Sequence, residues 1–420
     1  TGKILAGRLP GCGIPVAFGG GKPMRILVAP LDWGLGHATR CIPIIRTLHG
    51  MGHEVVLAAN GAGKNLLSNE FPELESVVLP SYAMRYTKSR ALLPLWLLVQ
   101  LPFFIVSMLR ERLVVSRLIK EYRIDRIISD SRYGVRSRKT ACVFITHQLQ
   151  IIPPGPRWLV ALLSPLVLWL NRFLLKGFSE IWVPDFPGAK NLSGKLGHVS
   201  FDWTQVRYIH PLCRFRPDNL PWNVPLKMGE SEQLKLDVLA IVSGPEPQRT
   251  LFEERLMRSL EKTSGTRVLV RGLPATGAVG ANSRSFLQPR SDDLNIFDHL
   301  PGKALTQFMS TAERVVCRSG YTTVMELAGL GKTNVLMVPT PGQSEQEYLA
   351  EHLRAMGCVA VQLQETFELE AGLKPAEESS GFGTMLESAD SKTDSWNLEA
   401  WLHEHPLFHT PKRLAGKFVL

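Results

Sequence analysis

The residue best placed by its neighbours to move a proton is His37. It closes the run Leu31-Asp32-Trp33-Gly34-Leu35-Gly36-His37, between an apolar stretch at 25–29 and a segment at 38–48 that puts Cys41, Ile44, Ile45 and Leu48 on one helical face. Gly34 and Gly36 permit a tight turn into that helix. A helix N-terminus offers unpaired N–H groups and the positive dipole end to an anion or a polar substrate. The same field disfavours an imidazolium, which suits His37 to act as a base. Asp32 and Arg40 lie near enough to orient or neutralise it. The loop is not a dinucleotide fingerprint. Thr39 stands where the third glycine belongs, and the next strand ends Ala58-Ala59-Asn60, without a carboxylate for a ribose diol.

A second cluster lies in the other half of the chain. Cys317-Arg318-Ser319-Gly320 ends a strand and opens a helix that carries Glu326 about one turn in. Ser319, Gly320 and the helix N-terminus can hold a diphosphate through backbone N–H groups, with Arg318 as a counter-charge. A carboxylate at Glu326 can accept two hydrogen bonds from ribose hydroxyls. The next strand is followed by Pro339-Thr340-Pro341-Gly342-Gln343-Ser344-Glu345-Gln346, where the Gln346 amide can meet sugar hydroxyls as donor and acceptor. There is no D-x-D motif to hold a divalent metal, so neither a metal nor another cofactor is expected.

The elements that must position these residues form two α/β halves. Strands are expected at 25–29, 54–59, 125–129 and 141–146 in the first, and at 237–242, 267–271, 314–317 and 334–338 in the second. Helices are expected at 38–48, 250–262, 322–330 and 345–356. Asp130 and His147, at the ends of two first-half strands, are weaker candidates for the base. Residues 1–23, rich in Gly and Pro, read as a flexible extension, with order expected from Met24. A proline-rich stretch at 214–225 separates a first domain, 24–217, from a second, 218–390. Residues 371–395 are polar and expected to be flexible, and 391–420 form a closing segment.

Charge and hydropathy divide the halves further. Residues 1–217 carry 28 Lys and Arg against 12 Asp and Glu, whereas 218–420 carry 20 against 26. An anionic partner is therefore expected for the first half only. A nucleic acid is disfavoured, because aromatics are not interleaved with the basic residues. Residues 91–109 and 158–171 are uncharged, and Arg85, Lys88, Arg90, Arg110, Arg112, Arg117 and Lys120 flank the first run. Prolines interrupt that run and an α/β pattern resumes after it, so a segment dipping into one leaflet fits better than a spanning helix. Two buried core helices are the competing reading. The six cysteines are scattered without a C-x-x-C pair, which points to a reducing, cytoplasmic compartment.

Two α/β halves with Gly34-Leu35-Gly36-His37 in the first, and R-S-G-x-x-T-x-x-E then P-G-x-x-x-Q in the second, resemble the GT-B glycosyltransferases, most of all the MurG-type group of families 28 and 1. The resemblance covers roughly residues 24–365 and is stronger in the second half. It implies two Rossmann-like domains facing across a cleft, with a UDP-sugar bound by the second. By matching motifs, Glu326 would bind ribose, Ser319 and Gly320 the phosphates, and Gln346 the donor sugar. Ser243 and Gly244 occupy the first Gly-rich loop of that domain, which departs from the family's G-G-S-x-G by carrying Pro245 and Pro247. Arg214 resembles an arginine near the family's interdomain hinge. His37, with Gly34, Gly36 and Arg40 around it, sits where the first-domain loop approaches the acceptor. The resemblance further implies a lipid-linked acceptor reached from the inner face of the cell membrane. Gly-Leu-Gly-His-Ala-Thr-Arg-Cys with Gly52-His53-Glu54-Val55 is similar also to UDP-sugar hydrolases of the pseudaminic-acid pathway, in which the histidine would activate water. A nucleotide- or lipid-binding protein without turnover is the third reading.

Overall fold

The computed structural model describes residues 23–82, 93–199, 203–214, 236–273, 293–383, 385 and 398–408. The expected extension at 1–23, except for its last residue, and most of the proline-rich stretch lie outside them. The first sheet has seven parallel strands: β1 (Arg25–Pro30), β2 (Glu54–Ala59), β3 (Ser76–Val78), β4 (Arg126–Asp130), β5 (Ala141–Ile145), β6 (Glu180–Val183) and β7 (Val206–Tyr208). Their order is β3-β2-β1-β4-β5-β6-β7. The second has six: β8 (Val238–Ile241), β9 (Arg267–Val270), β10 (Leu294–Phe297), β11 (Arg314–Cys317), β12 (Val335–Met337) and β13 (Ala360–Val361), in the order β10-β9-β8-β11-β12-β13. The unbroken apolar runs of β1, β2, β8 and β11 suit parallel strands covered on both faces. Strand order reverses beside β1 and beside β8. The turns leaving β1, β4, β8 and β11 therefore open at the switch points where such sheets bind ligands.

The first-domain helices are α1 (Leu35–Gly50), α2 (Gly61–Glu70), α3 (Leu93–Glu121) and α4 (Arg157–Leu175). The second domain contributes α5 (Gln248–Leu260), α6 (Gly302–Thr311), α7 (Tyr321–Gly329), α8 (Ser344–Ala355) and α9 (Leu369–Glu377). β10 and α6 were not expected from the sequence, and α9 forms within the stretch read as flexible. The final helix, α10 (Leu398–Glu404), returns to the first domain. Trp401 packs edge-on against Trp182 at 5.0 Å, and Arg126 Nε donates to the Leu407 carbonyl at 2.6 Å.

Both uncharged runs fold as helices over their described residues, and the side chains described in them are not buried core. In α3, Phe103 and Leu113 are two-thirds exposed. In α4, Trp158, Leu162, Leu166, Trp169 and Phe173 are 59–68 % exposed, at spacings that keep them on one face. The window Trp158–Leu175 has a mean hydropathy of 1.7 and is 11 % buried, so by length and composition it could cross a membrane. It serves instead as the crossover between β5 and β6, with Asn171 and Leu175 turned inward.

Candidate active site between the two domains

The chain leaves β1, turns through Gly34 at φ 80°, and enters α1 with no side-chain cap on its first turn. Gly36 touches the other domain: Thr322 Oγ1, in the first turn of α7, donates to the Gly36 carbonyl at 3.0 Å. A Cβ on Gly36 would lie 2.9 Å from that oxygen, so the approach requires glycine. The expected acceptor loop and the expected phosphate-binding turn thus meet directly.

Behind this contact lies a connected set of ionisable groups. His37 Nδ1 is 3.2 Å from Asp130 Oδ1 at the end of β4. Arg40, one helical turn after His37, donates through Nε to Asp130 Oδ2 at 2.6 Å and closes a second bond from Nη2 to Oδ1. Its Nη1 is 3.1 Å from His147 Nδ1, and His147 Nε2 is 2.7 Å from Glu345 Oε1, on α8 of the second domain. Gln148 Nε2 donates to the other oxygen of Glu345. A guanidinium can only donate, so His147 Nδ1 accepts and its proton sits on Nε2, facing Glu345. Burial, opposed by Glu345 but reinforced by Arg40, lowers the pKa of His147 and keeps the ring neutral. Burial pushes the Asp130 carboxyl up, but Arg40 and His37 outweigh it and hold the acid below the usual carboxylate range. Asp130 is fully buried and both nitrogens of His147 are engaged, so neither suits the role of free base. His37 keeps 19 % of its side chain exposed, and its Nε2 has no hydrogen-bond partner among the described residues. Asp32 does not join this set. It lies 3.8 Å from Arg132, in the separate buried group of Arg132 and Glu111.

On the second-domain side, Gly320 caps α7 without a side-chain bond, and a Cβ there would meet nothing within 4 Å. The space beside Gly320 at the head of α7 is open, which leaves room for an anion at that helix N-terminus. Ser319 is buried and its hydroxyl donates to the Gln346 carbonyl at 2.8 Å, tying the two β–α turns together. Gln346 uses its own amide on that turn, accepting from Thr340 N at 2.9 Å and donating to Gln343 Oε1. Gly244, at φ 111°, faces the same turn across 3.5 Å from where its Cβ would be to Thr340 Oγ1. That hydroxyl is buried beside Gly244 and has no hydrogen-bond partner among the described residues. Glu326 is almost fully buried and accepts from Arg214 Nε at 2.5 Å, so Arg214 and the expected ribose ligand form one ion pair.

Arg318 departs from expectation. It is 1 % exposed, lies 4.1 Å over the Phe252 ring, and donates to the carbonyls of Val338, Pro339 and Gln248 and to Gln364. Burial pushes its pKa down to about 9, still above neutrality. Its two terminal nitrogens brace the turns around the cleft, and its Nε is buried without a hydrogen-bond partner among the described residues. Sequence reading missed Glu345 and Tyr321. The Tyr321 ring stacks on His147 at 4.0 Å, and its hydroxyl donates to the Pro184 carbonyl at 2.8 Å. Among the described residues, no group of three His, Cys, Asp or Glu is placed to hold a metal ion.

Residues 278–393 match the glycosyltransferase family 28 C-terminal domain. An uncharacterized glycosyltransferase of Methanosarcina mazei is 22 % identical over 347 residues, covering 77 % of this chain and 82 % of that protein. Among solved structures, the kitacinnamycin glycotransferase superposes with a TM-score of 0.61 at 14 % identity, over 89 % of this chain and 96 % of its own. The spinosyn rhamnosyltransferase SpnG complexed with thymidine diphosphate superposes with a TM-score of 0.57 at 20 % identity, over 90 % and 99 %. With two parallel sheets whose turns meet at Gly36 and Thr322, this chain has the two-domain GT-B fold of these glycosyltransferases, and residues 278–393 match the family 28 C-terminal domain.

Proposed function

We propose that the protein transfers a sugar from a UDP-sugar, of hexose or N-acetylhexosamine type, to a lipid-linked or membrane-face acceptor, with His37 as base. The observation that carries this reading is the pairing of His37 with Asp130 directly beside the contact between Gly36 and Thr322. Arg40 Nη2 has two hydrogens and three neighbours: Asp130 Oδ1, Ser131 Oγ at 3.1 Å and His37 Nδ1 at 2.9 Å. With both hydrogens given to the oxygens, His37 Nδ1 donates its own to Asp130, and Nε2 is left as the proton acceptor. The acceptor hydroxyl then loses its proton to Nε2 as its oxygen bonds to the anomeric carbon. The bond from that carbon to the diphosphate breaks, and the leaving diphosphate passes to the N–H groups at Gly320 and the Gly244 loop. Glu326 would hold the ribose and Gln346 the donor sugar. SpnG in complex with thymidine diphosphate supports a pyrimidine nucleotide in this fold.

The acceptor side of the reading rests on the exposed apolar faces of α3 and α4 in a basic domain, which suit a peripheral protein on the inner face of the cell membrane. The test is nucleoside diphosphate release from a panel of UDP- and dTDP-sugars, with and without membrane lipid extract, for wild type beside Glu326→Ala. Release that needs the extract and is lost in the variant supports transfer. Stoichiometric release without extract identifies water as the acceptor and the protein as a hydrolase. Nucleotide binding without release under either condition supports the binding protein.

A further inference from the structure

The first two residues of α7 are seated in the other domain. Thr322 donates to the Gly36 carbonyl, and Tyr321, buried, meets the turns that leave β5 and β6. One side of that seat is the Pro184 carbonyl, to which the phenol donates at 2.8 Å. The carbonyl is itself held in place. Asp185, fully buried, accepts from the backbone N–H groups of Phe186, Leu192 and Ser193, each at 2.8 Å, and so fixes the turn. Burial and the Asp185 carboxylate push the Tyr321 phenol well above its ordinary pKa, so the hydroxyl keeps its proton and stays a donor. The other side of the seat is His147. The two rings are 4.0 Å apart between centroids and within 3° of parallel. A flat contact of this kind fixes the plane of the imidazole. Imidazole nitrogens donate and accept in that plane, and both are engaged: Nδ1 with Arg40 Nη1 at 3.1 Å, and Nε2 with Glu345 at 2.7 Å. A tilt of the ring would misalign both bonds, and such bonds weaken steeply away from linearity.

We propose that Tyr321 is a positioning residue for the proton acceptor: by holding the plane of His147 it keeps Arg40 turned toward Asp130 and so sets the tautomer of His37. The inference rests on the reading of His37 as base, and it holds whether an acceptor hydroxyl or water gives up the proton. The chain of contacts is continuous. His147 Nδ1 accepts from Arg40 Nη1, Arg40 Nε donates to Asp130 Oδ2 at 2.6 Å, and Asp130 Oδ1 lies 3.2 Å from His37 Nδ1. With His147 turned away, Arg40 Nη1 loses its acceptor in a buried site, and the guanidinium is free to turn. Its Nη2 already lies 2.9 Å from His37 Nδ1. A guanidinium hydrogen given to Nδ1 would place the proton of the neutral His37 ring on Nε2 and abolish the free base. Tyr321 also belongs to the domain proposed to bind the diphosphate, and its own N–H is among those at the head of α7 without an intrahelical partner. One residue thus meets the site of the leaving group with its backbone and the support of the base with its ring. The base is aligned in the conformation that seats the second domain.

The test follows the ring nitrogens of His37 and His147 by NMR in the isotope-labelled full chain, at a pH where both rings are neutral. It is run beside kcat for UDP release and a titration with UDP. His37→Ala and His147→Gln assign the two signals by their loss. Tyr321→Phe keeps the stacked ring and loses the bond to Pro184, whereas Tyr321→Leu loses both. Tyr348→Phe removes a different interdomain bond, from Lys195 N at 2.7 Å, and leaves the Tyr321 stack in place. Wild type, Tyr321→Phe and Tyr348→Phe are expected to hold the His37 proton on Nδ1 and the His147 proton on Nε2. Tyr321→Leu should mix the tautomers of both rings. It should also lower kcat by about 10- to 100-fold, a part of the roughly 10²- to 10⁴-fold that a positioned base contributes. Its affinity for UDP should stay at the wild-type value, since Glu326 and the turn at Gly320 are untouched. Equal loss of kcat in Tyr321→Phe and Tyr321→Leu, or loss of UDP affinity in step with kcat, makes the residue interdomain packing and overturns the proposal. Unchanged tautomers in Tyr321→Leu overturn it as well. Each of these outcomes leaves His37 as base. Absence of UDP release by wild type from every UDP-sugar overturns that reading, and the positioning role with it.

Discussion

His147 Nε2 and Glu345 Oε1 meet at 2.7 Å across the boundary between the two domains. Because Arg40 donates to the other nitrogen of the ring, the proton that faces Glu345 is fixed, and Arg40 also holds Asp130. Closure of the second domain on the first is thereby linked to the group that orients His37. His147→Gln keeps one donor to Glu345 but loses the acceptor for Arg40. It is expected to lower kcat with little change in the affinity for free nucleoside diphosphate, whereas Glu345→Gln should raise the acceptor KM as well. Steady-state kinetics beside a nucleotide titration separate the two outcomes. A proportional loss of nucleotide binding in both variants would mean that the link is structural only.

His37→Ala should lower kcat by about 10²- to 10⁴-fold, the usual worth of a positioned base, and leave nucleotide affinity unchanged. Asp130→Asn should reduce kcat as well, and should further destabilise the fold because Arg40 then lies buried beside a neutral partner. Removing one member of such a buried pair costs about 3–5 kcal/mol, measurable by chemical denaturation. A fully active His37→Ala protein would remove the base from this residue.

Stability should fall as pH drops below neutrality. Burial, only partly opposed by Asp185, pushes His210 down to about 4 from 6.5, and burial also lowers His147. Below pH 6.5 the unfolded chain takes up protons at these rings that the folded chain refuses, so the unfolding free energy rises with pH across the window from about 4 to 6.5. It gains nothing further from these groups above that window. His210 sits at φ 57°, which asparagine tolerates, so His210→Asn is the suitable variant. Its melting temperature should depend less on pH between 4 and 6.5 than that of wild type.

The parts legible in the sequence are those with a strong local signal. Apolar runs mark β1, β2, β8 and β11, and glycines mark the turns into α1 and α7, so the two-domain α/β architecture and the loop of His37 follow from short windows. β10 was missed because Leu294-Asn295-Ile296-Phe297 is a brief edge strand that is only partly buried, and α6 because it opens without a polar cap. The union of His37, Arg40, Asp130 and His147 depends on the strand order β1-β4-β5, which joins residues some hundred positions apart. Arg318 misled for the same reason. Beside a glycine turn it reads as a phosphate ligand, yet it is buried and its two terminal nitrogens donate to the carbonyls of two other turns and to Gln364. Composition could not separate a buried α4 from an exposed one, because only packing decides which face of an apolar helix is covered.

Arg318→Met therefore tests a structural role against a binding one. The substitution strands the carbonyls of Val338, Pro339 and Gln248, and each buried polar group left unpaired costs about 1–3 kcal/mol. The expected result is a clear loss of stability, with nucleotide affinity retained at temperatures where the variant is folded. Glu326→Ala should lose nucleotide affinity, and because it removes the carboxylate that pairs with the buried Arg214 it should lose stability as well. Its loss of hydrogen bonds to a ligand is worth about 1.5–3 kcal/mol, or roughly ten- to 150-fold in affinity. Parallel denaturation and nucleotide titrations on both variants give the comparison.

The contact of Gly36 with Thr322 offers a test of domain closure that leaves every ionisable group in place. A methyl group at Gly36 would sit 2.9 Å from Thr322 Oγ1, inside ordinary contact distance, so either the Thr322 side chain or the spacing between the domains must shift. Overpacking of this kind costs about 1–3 kcal/mol. Gly36→Ala should therefore lower kcat/KM by about five- to 150-fold while leaving the melting temperature of each domain nearly unchanged. Thr322→Ala alone removes one interdomain hydrogen bond and should have a smaller effect, and Gly36→Ala/Thr322→Ala should recover most of the activity because the clashing oxygen is gone. Such recovery assigns the defect to spacing between the domains. A double variant as impaired as Gly36→Ala would instead place the damage within the His37 loop, by a change in the first turn of α1.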